Sequence, residues 1–168
     1  MEFNQNHGLS TKSRKFWIIL FSFFVVIMIL TMLKDWWLTK DEPNVFFYIF
    51  VPILSIIGGV LSMYGVAKIS NQTITYLTLL AISLWANIMM QIVENIMKII
   101  YYRIWEYPGY LYFVLVIPLG FLLMVFGLIW WGKVKSWMAV MLASAYFVGS
   151  LIIGLILTDM IGLTTPGS

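Results

Sequence analysis

Apolar runs near the length of a membrane span alternate with short polar breaks along this chain. A helix rises about 1.5 Å per residue, so about 20 apolar residues cross the hydrocarbon of a bilayer. Five runs qualify: residues 16–33, 45–67, 73–97, 110–131 and 137–161. The third is apolar to about Val93 and then continues as a more polar helix. The pattern predicts an all-α, polytopic integral membrane protein, with a single bundle of five transmembrane helices over residues 16–162. Residues 1–15 form a polar, basic tail, and residues 163–168 a short tail expected to fray. The first run follows Lys12, Arg14 and Lys15, as a signal peptide would. It ends in Ile29-Leu30-Thr31-Met32-Leu33-Lys34, without a small-x-small cleavage pattern, and is expected to be a retained anchor.

One polar stripe breaks this pattern. Ser83, Asn87, Gln91, Glu94, Asn95 and Lys98 recur at helical spacing on one face of the third span. Polar side chains are costly in lipid, so they face protein or water and often mark function. Glu94 precedes Lys98 by four residues, the favourable order for a helical ion pair. A span starting at Thr73 uses up roughly 30 Å by about Val93, which brings Glu94 and Lys98 to the outer interface. Asn87 and Gln91 stay within the outer leaflet. The stripe is therefore a candidate ligand face or helix-docking face, with docking favoured by depth.

Helices in lipid approach closely only through small residues. The second span offers Ser55, Gly58, Gly59, Ser62 and Gly65, and the fifth Ala143, Ser150 and Gly154, with Ala145 and Gly149 beside them. These are the expected packing faces. Pro52 and Pro118 are expected to kink the second and fourth spans, since proline lacks an amide hydrogen and clashes with the preceding turn. Both prolines stand the same distance before a serine, Ser70 or Ser136, which hints at an internal repeat of spans one–two and three–four.

Charge fixes an expected orientation. Lys12, Arg14, Lys15, Lys68, Lys133 and Lys135 all fall on one side if the N-terminus is cytoplasmic and the C-terminus outside. The other side mixes Lys34, Lys40, Lys98 and Arg103 with Asp35, Asp41, Glu42, Glu106 and Asp159. Seven of the eight tryptophans lie near predicted span ends, where an apolar ring with a polar N–H is best placed. Trp85, inside the third span, needs a protein or water partner.

Composition narrows the chemistry. The chain is 62% hydrophobic and 10% charged, far from the balance of a soluble domain. It has no cysteine and a single histidine, His7, in the tail. Disulfides, thiolate sites, histidine-ligated haem and a Ser-His-Asp triad cannot be built from it. No phosphate loop or metal-ligand motif is present. A net charge of +3 is explained by cytoplasmic lysines and arginines and does not call for nucleic acid. No cofactor and no catalytic residue is expected. The expected partners are the lipid bilayer and other membrane subunits or copies of the chain. A non-catalytic accessory subunit in a larger membrane complex is the leading expectation, followed by a small channel or transporter with a polar path along the third helix, then a membrane-embedded enzyme. Minimal loops favour a prokaryotic plasma membrane.

Overall fold

The computed structural model describes residues 12–39, 49–104 and 112–162. They form five helices: α1 (Lys12–Thr39), α2 (Val51–Ile69), α3 (Tyr76–Ile104), α4 (Ile117–Trp130) and α5 (Ser136–Gly162). No strand occurs among the described residues. Four helices contain a stretch long and apolar enough to cross a membrane, at Phe16–Trp37, Val51–Ile69, Tyr76–Ile100 and Ser136–Leu157. The α4 helix is shorter, at 14 residues, and is preceded by a π-helical turn at Tyr112–Val116.

Local chemistry sets the boundaries. α2 stops because Asn71 takes a left-handed backbone (φ 52°), a conformation asparagine tolerates better than most residues. The N–H of Gln72 then bonds the carbonyl of Ala67 (2.8 Å), and that of Asn71 bonds Lys68 (3.1 Å), closing a Schellman motif. α3 starts at Tyr76, later than the expected Thr73, because Thr75 caps it. Thr75 Oγ1 accepts the N–H of Thr78 (3.2 Å), and its carbonyl accepts the N–H of Leu79 (3.1 Å). Thr75→Ala is expected to cost about 1 kcal/mol, read as a lower thermal midpoint in detergent, while Thr73→Ala leaves it unchanged.

The two prolines occupy matching positions. Each is the second residue of its α-helix, and the residue just before that helix, Phe50 or Val116, is itself helical at φ −75° and ψ −44°. Upstream of each the backbone is π-helical, at residues 49–50 and at Tyr112–Val116. A π turn bonds five residues apart, so the chain stays helical past the point where proline removes a donor and crowds the carbonyl four residues back. Both prolines therefore sit at π-to-α junctions of the described backbone. The segment 45–48, expected to open the second span, lies outside the described residues.

Packing is led by α2 against α5. Small residues make this antiparallel contact. A Cβ on Gly59 would sit 2.6 Å from the Tyr146 ring and 2.9 Å from its backbone oxygen, and one on Gly149 would sit 3.0 Å from the carbonyl of Gly58. Gly58 faces Ile153, Gly149 faces Ser62, and a Cβ on Gly154 would sit 3.5 Å from the Ser55 hydroxyl oxygen. Ala143 is fully buried. Gly65 departs from the expected stripe: it is exposed, and a Cβ there would meet nothing within 4 Å. Two glycines outside the expected faces are also close contacts, Gly120 against Met90 and Gly127 against Ile82, where α4 packs on α3.

The core gathers in one half of the bundle. Val60, Met63, Ala67, Leu79, Ile82, Leu128, Ala139 and Leu142 are fully buried near the ends joined by the 70–75 and 131–135 turns. Large apolar residues cover the outside instead, among them Ile19, Leu30, Leu122, Phe126, Leu151 and Leu155, each more than half exposed. Such an inside-out surface suits hydrocarbon, not water. Among the described residues, α1 packs chiefly on α3, and its Phe21 and Phe24 also share a cleft with Ile53 and Ile56 of α2.

Candidate functional site

The polar stripe of α3 divides between two neighbours. Steps of four residues advance a helical stripe by about 40° each, so a long stripe winds from one side to another. Its first residues face α4 and α5. Ser83 is fully buried; its hydroxyl donates to the Leu79 carbonyl (2.8 Å) and lies 3.8 Å from the Met124 sulfur. The first bond is the usual resolution for serine in a membrane helix. Asn87 Nδ2 donates both to the Ser83 carbonyl (2.8 Å) and to the Tyr146 hydroxyl (2.7 Å). A carbonyl can only accept, so the Ser83 bond fixes which way the amide points.

The later residues meet α1. Asn95 Nδ2 donates to Thr31 Oγ1 (2.8 Å), and Lys34 Nζ donates to Asn95 Oδ1 (2.7 Å). One amide thus joins two side chains of the neighbouring helix. Thr31 gives its own proton to the Ile27 carbonyl (2.9 Å). Gln91 Oε1, 3.5 Å from that hydroxyl, is too far for a second strong bond. Alternating charges continue the seam: Lys34 with Asp35 (3.0 Å), Asp35 with Lys98 (4.0 Å), and Lys98 with Glu94 (2.7 Å). Two amines and two carboxylates sum to zero charge. Lys34 and Glu94 side chains are each 13% exposed, so the seam is largely shielded.

The matching direction of these pairs, Thr31 with Asn95 and then Asp35 with Lys98, makes α1 parallel to α3. The starts of α1, α3 and α5 accordingly share one end of the bundle with the 70–75 and 131–135 turns.

Three residues of the seam escaped the sequence expectation: Thr31, Lys34 and Asp35. The hydropathy pattern places Lys34 and Asp35 beyond the end of the first span, yet they lie within α1. Their spacing held the signal. Thr31, Lys34 and Asp35 repeat the three- and four-residue steps of Gln91, Glu94, Asn95 and Lys98 on the facing helix. Tyr146 was also missed, since a lone tyrosine in an apolar helix carries no pattern. Trp85, expected to need a partner, packs its ring against Trp131 with centroids 5.4 Å apart. The buried side-chain polar atom without a hydrogen bond, among the described residues, is instead Trp17 Nε1. Asp41, Glu42 and Glu106, expected on the outer side, lie outside the described residues.

The arrangement can hold helices in register and cancel charge in a low-dielectric setting. Among the described residues, no group of three or more His, Cys, Asp or Glu is placed to hold a metal ion. In comparisons with protein-family models, curated proteins and solved structures, the chain matches none of them.

Proposed function

We propose that this chain is a non-catalytic membrane protein of five spans that serves as an accessory or structural subunit of a larger membrane complex. The observation that carries this is the seam between α1 and α3. Its Asn95 amide and its charges are bonded to one another within the chain. A transporter or channel would need comparable groups lining a continuous polar path, and here Asn95, Glu94 and Lys98 are engaged by Thr31, Lys34, Asp35 and each other. What remains for interaction is the broad apolar exterior, which lipid or apolar partner helices can cover equally well.

α4 is taken as the fifth span. With its π turn it covers residues 112–130, about 30 Å at about 1.5 Å per residue. The shared end that carries Lys68, Lys133 and the basic start of α1 is taken as cytoplasmic, which puts the end of α5 outside. Short inner turns suit a prokaryotic plasma membrane.

Purification of the tagged full chain in mild detergent, with native mass measurement, tests the role. At least one other membrane protein is expected to comigrate in fixed stoichiometry. Recovery of this chain by itself, under conditions that keep the bundle folded, would overturn it.

A further inference from the structure

A cavity of about 330 Å³ opens in the half of the bundle away from the dense core. Its walls come from α2, α3, α4 and α5. The two π-to-α junctions contribute Val51 and Ile117, the residues just before Pro52 and Pro118. Leu151 and Leu155 line it and are more than half exposed, so it reaches the lipid-facing surface. The volume is within the range of small-molecule sites, and local π-helix is frequent at functional positions.

Its polar groups are few and specific. Asn87, Tyr146 and Ser150 line the wall, and no charged residue does. Both Asn87 hydrogen bonds are donated by Nδ2, and no described residue donates to its Oδ1. Eleven residues into α3, Asn87 lies about 16 Å along the helix from Tyr76, near the middle of a bilayer. An amide oxygen at that depth lacks bulk water and favours any molecule bringing it a donor. A charged headgroup finds no counter-charge here, and a plain alkyl chain leaves the oxygen unmet.

We propose that this cavity binds an uncharged, membrane-dissolved lipid alcohol, with its hydroxyl donating to Asn87 Oδ1 and its hydrocarbon lying along Phe147, Leu151 and Leu155. Ser150 stands on the same wall as a second hydroxyl partner. This goes beyond the subunit role: comigration tests that role, whereas occupancy of the cavity is read separately.

The test is photolabelling of the full chain in lipid nanodiscs with hexadecanol carrying a mid-chain diazirine. Matched hexadecane and hexadecanoate probes run alongside. Label from the alcohol is expected on the α5 segment from Phe147 to Leu155, about tenfold above the alkane, a ratio one well-made hydrogen bond sustains. Hexadecanoate should label no better than the alkane. Leu151→Trp, which fills the cavity from its exposed side without touching a hydrogen bond, should reduce alcohol labelling to the alkane level. Asn87→Val should remove the preference for the alcohol; should that variant not fold, Leu151→Trp and the three-probe comparison decide alone. Equal labelling by alcohol and alkane, strong labelling by the carboxylate, or an unaffected Leu151→Trp variant would each overturn the proposal.

Discussion

Gly59→Leu is expected to be among the most damaging single substitutions in the bundle. A Cβ at this position would lie 2.6 Å from ring carbons of Tyr146 and 2.9 Å from its backbone oxygen. The ring can swing aside, but the carbonyl belongs to the α5 backbone and moves only with the helix. Displacing α5 would also open the contacts at Gly58, Ser62 and Gly149, and would strain the Asn87–Tyr146 hydrogen bond. In lipid these contacts are the main cohesion between the helices, because water does not drive them together. A cost of about 3 kcal/mol, at the upper end for overpacking, is expected. It should appear as a fall in the thermal midpoint in detergent on the order of 10 °C. Gly65→Leu is the internal control. It changes the same residue type on the same helix, but Gly65 is exposed with open space around it. Its midpoint should stay level or rise slightly, since leucine favours helix more than glycine does. Equal losses from the two variants would mean that helix propensity or detergent contact, not the α2–α5 fit, controls stability.

The contrast between Gly59 and Gly65 also shows what the sequence could reveal. Helix existence followed from hydropathy alone, because long apolar runs have few alternatives in a bilayer. Spacing identified the packing stripe on α2, but spacing cannot say where a neighbouring helix diverges, so Gly65 was included. Gly120 and Gly127 were missed because α4 is apolar almost throughout, and a glycine there stands on no distinct face until its neighbours Met90 and Ile82 are placed. The polar stripe was legible as a stripe. Its partner was not, because Lys34 and Asp35 look like loop charges until α1 is seen to run on to Thr39. Depth counted along one helix put Glu94 and Lys98 at a boundary. Only the packed pair of helices joins them to Asp35. The prolines likewise announced a break, while the π turns that absorb it have no sequence signature beyond the proline itself.

Asn95→Leu is expected to loosen α1 selectively. Asn95 donates to Thr31 and accepts from Lys34, so leucine removes two interhelical bonds at once and leaves the Lys34 amine with Asp35 alone. Neutral hydrogen bonds between membrane helices average about 0.6 kcal/mol, and bonds to a charged group are stronger, so a loss of about 2 kcal/mol is reasonable. Because α1 packs chiefly on α3 among the described residues, the loss should stay largely local. Hydrogen exchange in detergent should accelerate across α1 while the fully buried segment of α5 around Leu142 keeps its protection. Thr31→Val, nearly isosteric, removes one of the two bonds. The double variant should therefore lose less than the sum of the singles, by about 0.6–1 kcal/mol of coupling. Additive losses would indicate that water already satisfies the Thr31–Asn95 pair. Uniform acceleration through all five helices would indicate that α1 is integral to the bundle's cohesion and not a separable helix clasped by its polar seam.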